Sequence, residues 1–150
     1  MKKIFGILLL IVLFCGCTNN KNENLLYLKE DFYKENKLIT KTSDEINNLK
    51  KDNNTYLVYT YNNYCTMKIP CEEIFKSIME KNNFSMYSIP FKDFKNTFLY
   101  DTVKFAPSVI IVSNGKIIDY LDASKDDDLE KYQNDKEFEK WLKKYLVLEM

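Results

Sequence analysis

An Asn-Gly pair between two apolar segments predicts a β-hairpin in the second half of the chain and restricts the folds that the sequence can adopt. Asn114-Gly115 follows the apolar segment 108–112 and precedes the segment 117–121. Asn-Gly supplies the two positive-φ residues of a tight hairpin turn. A further strand is predicted over 56–61, where aromatic and β-branched residues follow one another without charge, a pattern typical of burial on both faces. The sequence therefore predicts a largely buried sheet.

Predicted helices alternate with these strands. Thr42 and Glu45 have the spacing of a capping box and predict a helix over about 43–52. Pro70 suits the first turn of a helix that extends to about Asn82. The remaining predictions are a short strand or helix within 25–38, a strand over 84–89, a short helix over 92–99, a solvated loop at 126–128 and a C-terminal helix capped by Asn134 with Trp141 on its apolar face. This alternation predicts an α/β domain.

The composition excludes several classes of chemistry. The chain contains no histidine and no arginine, which excludes Ser-His-Asp triads, Cys-His proteases and histidine-based zinc enzymes. Twenty-two basic residues balance 22 acidic ones, so the sequence gives no indication of nucleic-acid binding. The acidic run at 126–128 lacks the ligand spacing of a calcium loop. Four cysteines remain as the main candidates for chemistry, and neither a metal site nor a cofactor is indicated.

The N-terminal segment predicts export. Lys2 and Lys3 precede an apolar run from Ile4 to Phe14, which is about half of the roughly 20 residues that span a bilayer. The run ends at Gly16-Cys17, and this end resembles the lipobox of bacterial lipoproteins. The resemblance implies a signal peptide over 1–16 and a diacylglyceryl anchor on Cys17, which places the chain on the outer face of the cytoplasmic membrane. An ordinary secreted protein and an uncleaved signal anchor are the alternatives.

Two further motifs carry a resemblance to the thioredoxin-like fold. A buried strand leads to Tyr64-Cys65, and Pro70-Cys71 opens the next helix; later, Ala106-Pro107 directly precedes the strand of the hairpin. Proteins of this fold place an aromatic-Cys pair after a central strand and a cis-proline before the hairpin. The resemblance implies a three-layer sandwich, with a central mixed sheet and flanking helices, over residues 41–150. Residues 17–40 are then the lipid anchor, a tether and an N-terminal extension.

The cysteine spacing departs from that of the family. The family motif is CxxC, whereas five residues separate Cys65 from Cys71. The helix N-terminus favours a thiolate at Cys71, whereas the position after the strand corresponds to the attacking cysteine of the family and falls on Cys65. Six residues of chain allow the two sulfurs to meet as a disulfide. A redox-active pair, a static disulfide and two inert thiols all stay open.

The resemblance implies thiol–disulfide exchange on exported proteins or peptides without a cofactor. Cys65 and Cys71 would exchange disulfides, and Pro107, Ala106 and Tyr64 would contact the bound substrate. The alternative is a binding module that has kept the fold and lost the redox activity. Such a lipoprotein would resemble the export-accessory proteins of bacteriocin transport or have an immunity role.

Overall fold

Within the described residues, 25–62 and 68–148, a five-stranded mixed sheet lies at the centre of this computed structural model. The strands are β1 (Leu26–Tyr27), β2 (Leu38–Thr40), β3 (Thr55–Tyr61), β4 (Met86–Pro90), β5 (Ser108–Ser113), β6 (Lys116–Asp122) and β7 (Leu146–Val147). The α-helices are α1 (Ser43–Asn48), α2 (Cys71–Asn82), α3 (Phe91–Phe94), α4 (Asp126–Leu129) and α5 (Asp135–Lys143). Short 3-10 helices lie at Glu30–Tyr33, Leu49–Lys51, Phe98–Asp101 and Glu130–Tyr132. None of the described helices has the length and apolar character needed to cross a membrane.

The strand order of the central sheet is β2-β4-β3-β5-β6. β2 and β3 both run parallel to β4, whereas β5 runs antiparallel to β3 and to β6. Parallel strands need a crossover connection, and α2 connects β3 to its parallel neighbour β4. The predicted fold class, a central mixed sheet flanked by helices, is confirmed.

Both faces of the sheet are covered. Successive residues of a strand point to opposite faces, and every residue from Thr55 to Thr60 in β3 is buried. On one face, the Tyr59 ring lies 4.9 Å from the Phe75 ring of α2. The Phe138 ring of α5 lies 4.7 Å from the same Phe75 ring, so α2 and α5 pack together. The prediction that this strand is buried on both faces is confirmed.

Two local sequence patterns are confirmed, one by its hydrogen bonds and the other by its backbone angles. The Thr42 hydroxyl accepts the Glu45 N–H at 3.3 Å, and the Glu45 carboxylate accepts the Thr42 N–H at 2.9 Å. Asn114 and Gly115 have φ values of 51° and 68°, and the turn that they form joins β5 to β6. A Cβ at Gly115 would overlap the backbone carbonyl oxygen of Lys50. Both the backbone conformation and the packing therefore require glycine at this position.

The single helix predicted over 92–99 is wrong, because α3 ends at Phe94 and a separate 3-10 helix begins at Phe98. Asn47, in α1, stabilises the break between the two. Its side-chain amide donates to the Asn96 carbonyl at 2.9 Å, and its side-chain oxygen accepts the Phe98 N–H at 2.8 Å. These contacts satisfy one backbone carbonyl and one backbone N–H at the break between the two helical segments.

The loop predicted at Asp126 to Asp128 is also wrong, because these residues form the helical turn α4. The Asp128 carboxylate accepts the backbone N–H of Asp122 at 3.0 Å, and the Lys131 ammonium lies 3.0 Å from its other oxygen. An acidic side chain is favourable in the first turn of a helix. The acidic run therefore has a structural role, in joining α4 to the end of β6.

The N-terminal extension is part of the folded unit. β2 is an edge strand of the central sheet, and β1 pairs with β7 in a small parallel sheet. Phe32 is 2% exposed and belongs to the core. The Tyr33 hydroxyl accepts the Leu28 N–H at 3.0 Å and donates to the Val147 carbonyl at 2.7 Å. The chain from residue 25 onward therefore contacts the domain directly.

A buried carboxylate links α2 to α5. Glu139 is 6% exposed, and its two oxygens lie 2.8 Å from the Lys143 ammonium and 2.6 Å from the Lys81 ammonium. The hydrogen bond from Lys143, followed by that from Lys81, lowers the pKa of Glu139 to about 2. Because its pKa is lower in the folded state, this carboxylate stabilises the fold above its ordinary pKa of 4.5, and the contribution is lost as the pH falls towards 2.

We expect Glu139→Gln to lower the free energy of unfolding at pH 7 by about 1.5 kcal/mol, the range of a hydrogen bond to a charged group. The difference from wild type should shrink as the pH is lowered from 4.5 to 2. Urea denaturation across this pH range measures it. Glu137→Gln is the matched control, since Glu137 pairs with Lys140 at 3.4 Å on the surface and should change stability little. An equal loss of unfolding free energy in both variants would contradict the stabilising role of the Glu139 carboxylate.

Candidate functional site

Cys71 is the first residue of α2, so its predicted place in the first turn is confirmed, although the helix begins one residue after Pro70. Pro70 is the N-cap, and its carbonyl accepts the Glu73 N–H at 2.9 Å. Helix N-termini carry a partial positive charge, which favours a negative charge on a group placed there. Only 2% of Cys71 is exposed, so its sulfur lies beneath the surface and not on it.

Three of the predicted site residues, Cys17, Tyr64 and Cys65, lie outside the described residues. The pairing of Cys65 with Cys71 therefore stays a prediction. The structure does define both flanks of the segment that holds Cys65. β3 ends at Tyr61 on one side, and on the other side Lys68 to Pro70 lead into α2.

The proline loop lies at the end of β3. In the antiparallel register between β3 and β5, Thr60 is opposite Ser108, so Pro107 comes directly beside the end of β3 that leads to Cys65. The Ala106–Pro107 peptide bond is cis. The Asn62 side chain donates to the Ala106 carbonyl at 3.1 Å. The two loops that the sequence analysis selected are therefore joined by a direct hydrogen bond.

A buried tyrosine connects the proline loop to the start of α2. The Tyr132 hydroxyl lies 3.2 Å from the Pro107 carbonyl oxygen and 2.8 Å from the Leu121 carbonyl oxygen. Burial raises the pKa of Tyr132 well above its ordinary value. The hydroxyl therefore stays protonated and remains a donor at physiological pH. The Pro107 carbonyl lies within hydrogen-bond distance of Tyr132, and the next residue, Gln133, bonds Ile69 two positions before Cys71, so Pro107 and Cys71 lie at the same end of the sheet.

The next residue, Gln133, holds the chain just before Cys71. Its side-chain oxygen accepts the Ile69 N–H at 2.9 Å, and its side-chain nitrogen donates to the Ile69 carbonyl at 2.8 Å. The same nitrogen lies 2.9 Å from the Tyr132 carbonyl oxygen. Sequence reasoning missed both Tyr132 and Gln133, because no local spacing relates them to residues 69 and 107. Their position shortly after α4 does not indicate that they contact Ile69 and Pro107.

One apolar side chain stands on the surface of the proline loop. Phe105 is 54% exposed, although it directly precedes the half-buried Ala106 and the buried Pro107. The Ser108 hydroxyl donates to the Phe105 carbonyl at 2.8 Å, and this hydrogen bond within the loop stabilises its conformation. Within ranges 25–62 and 68–148, no three His, Cys, Asp or Glu side chains are grouped as metal ligands. The chemistry that this end of the sheet offers is that of a buried thiol at a helix N-terminus and a proline loop with one exposed apolar side chain.

Comparison with solved structures identifies the fold. Thioredoxin NaTrxh from Nicotiana alata superposes with a TM-score of 0.52 at 16% sequence identity, covering 75% of this chain and 95% of that one. The oxidised thioredoxin from Plasmodium falciparum gives a TM-score of 0.50 at 16% identity, over 73% of this chain and 99% of that one. Thioredoxin from Malassezia sympodialis gives a TM-score of 0.50 at 9% identity, over 72% of this chain and 90% of that one. The domain therefore has a thioredoxin-like fold.

No protein-family model matches the sequence, and a search of the curated proteins finds no match. At 9–16% identity, the likeness to the three thioredoxins concerns the fold alone. Function has to be argued from the site itself, because one fold can support unrelated activities.

Proposed function

We propose that this protein exchanges thiols and disulfides through Cys65 and Cys71 on the outer face of a bacterial cytoplasmic membrane. The observation that carries the proposal is the position of Cys71. It is the first residue of a helix, and the adjacent residues Tyr132 and Gln133 contact the proline loop and the backbone two positions before Cys71. A thiol at a helix N-terminus near a substrate-binding loop is the arrangement that thiol exchange requires.

The exchange proceeds in two displacements. The Cys65 thiolate attacks one sulfur of a substrate disulfide, which forms a mixed disulfide and releases the other substrate sulfur as a thiolate. The Cys71 thiolate then attacks the Cys65 sulfur, which forms the Cys65–Cys71 disulfide and releases the second substrate thiolate. Two electrons pass to the substrate, and the same steps in reverse oxidise a substrate dithiol. No cofactor takes part in either direction.

The burial of Cys71 supports this division of roles. A protein disulfide cannot reach a sulfur that is 2% exposed, whereas a neighbouring sulfur on the same chain can. Reactive cysteines that meet external partners are partly exposed. We therefore assign the attack on substrate to Cys65 and the resolving step to Cys71. In this proposal Pro107, Ala106 and Tyr64 contact the substrate, and the exposed Phe105 ring, which directly precedes Ala106 in the chain, adds an apolar surface.

The membrane location is supported by the N-terminal sequence alone. A diacylglyceryl group on Cys17 supplies two acyl chains, which together anchor a protein stably where one chain does not. The compartment outside the membrane permits disulfides. Cleavage before Cys17 removes Cys15 and lipidation consumes Cys17, which leaves Cys65 and Cys71 as the two cysteines available for exchange.

The test uses the full chain with Cys15→Ser and Cys17→Ser, purified in detergent, so that only two thiols remain. We expect both thiols to titrate after reduction, neither after oxidation, and the bridge to reverse within about −270 to −120 mV, the range of disulfide oxidoreductases. Reduction of insulin by dithiothreitol should be accelerated, and Cys65→Ser should return it to the uncatalysed rate. A bridge that resists reduction, or no acceleration by the wild-type pair, would support the alternative of a redox-inactive binding module.

A further inference from the structure

Two adjacent side chains contact both loops of the candidate site. The Tyr132 hydroxyl shares its proton between the Leu121 carbonyl and the Pro107 carbonyl of the proline loop, and Gln133 makes two hydrogen bonds to Ile69, two residues before Cys71. Paired donor and acceptor bonds from one amide fix both the position and the direction of the backbone that they hold. The Cys71 segment and the Pro107 segment are 36 positions apart in the chain, yet both are attached to residues 132–133.

The turn that carries these side chains is itself anchored. The Tyr132 ring is fully buried and lies 6.0 Å from the Phe75 ring of α2 in an edge-on contact. Lys131 contacts Asp128, whose carboxylate accepts the Asp122 N–H at the end of β6. Such a buried, fully bonded attachment has little freedom to shift. It can therefore set the distance between the two loops.

We propose that Tyr132 and Gln133 are positioning residues for thiol exchange, and that together they hold the backbone before Cys71 in register with the proline loop. The inference rests on the exchange function proposed above. Neither side chain touches the reacting sulfur of a substrate. Their effect on the reaction comes through the placement of Cys71 and Pro107, on which the resolving step and the docking of substrate depend.

Tyr132→Phe removes the hydroxyl that bonds Pro107, and Gln133→Ala removes both bonds to Ile69. We expect each variant to lower kcat/KM for insulin reduction about tenfold, since small displacements of reacting groups cost this much or more. Each should also shift the equilibrium of the Cys65–Cys71 pair with glutathione by at least about threefold, because the geometry of the bridge changes. Gln133→Glu keeps an acceptor for the Ile69 N–H and should restore part of the activity.

Tyr33→Phe is the matched control. Tyr33 is also a buried tyrosine whose hydroxyl donates to a backbone carbonyl, but its partner is Val147, in β7. It should lower the melting temperature without changing kcat/KM or the glutathione equilibrium. If Tyr132→Phe does not fold, Gln133→Ala alone decides the matter, since Gln133 is only partly buried.

The outcomes separate the inference from the function. Suppose that the wild-type protein exchanges thiols, and that Tyr132→Phe and Gln133→Ala leave kcat/KM and the glutathione equilibrium unchanged. This result would overturn the positioning role, and the proposed function would remain. Equal losses in Tyr33→Phe would also overturn it, because they would show a general effect of stability. A wild-type protein that does not exchange thiols would remove the function and the inference with it.

Discussion

Replacement of Cys71 by serine is expected to abolish turnover while preserving the first displacement. Cys65 would still attack a substrate disulfide, but the variant lacks the second thiol that resolves the mixed disulfide. A covalent complex between protein and substrate should therefore accumulate. The measurement is a non-reducing gel after incubation with a disulfide-bonded substrate, in the chain that also carries Cys15→Ser and Cys17→Ser. The complex should disappear when dithiothreitol is added.

The control is the combination of Cys65→Ser with Cys71→Ser, which should form no complex at all. The opposite result, a complex trapped by Cys65→Ser and not by Cys71→Ser, would contradict the roles assigned from burial. It would mean that the helix N-terminus, and not accessibility, decides which sulfur attacks. Absence of a complex in every variant would contradict thiol exchange itself.

The elements that the sequence predicts correctly are those set by local interactions. The Thr42–Glu45 capping box, the Asn114-Gly115 turn and the start of α2 after Pro70 each depend on residues close together in the chain. The buried strand β3 is predicted because burial on both faces requires apolar residues at every position. The resemblance to the thioredoxin-like fold rests in addition on the motifs Tyr64-Cys65, Pro70-Cys71 and Ala106-Pro107.

The features that the sequence does not reveal depend on contacts between distant residues. Asn47 divides the predicted helix over 92–99 by bonding the backbone of residues 96 and 98. Gln133 bonds Ile69, 64 positions away. A polar side chain gives no sign in the sequence of which distant carbonyl it will meet. For the same reason the sequence indicates Cys71 and Pro107 as members of one site but not Tyr132, whose hydroxyl lies 3.2 Å from the Pro107 carbonyl oxygen.

The core beneath the candidate site provides the largest expected effect on stability. Phe75, on α2, is fully buried, and its ring lies within 6.0 Å of those of Tyr59, Tyr132 and Phe138. Its side chain thus connects the central strand, the turn that contacts Pro107 and the last helix. Truncation of such a ring removes its own burial and leaves a cavity that rigid aromatic neighbours cannot fill.

We expect Phe75→Ala to lower the free energy of unfolding by about 3–5 kcal/mol, a large fraction of the 5–15 kcal/mol of a typical domain. Urea denaturation, followed by circular dichroism, measures the change. Phe105→Ala is the matched control, because the Phe105 ring is 54% exposed and its removal should change stability by less than about 0.5 kcal/mol. Similar losses for the two variants would show that the core is not organised around Phe75. The Phe75 ring contacts the ring of Tyr132. A stable Phe75→Leu variant, which keeps an apolar side chain but loses the ring, should therefore show whether the ring holds the candidate site in place or only fills the core.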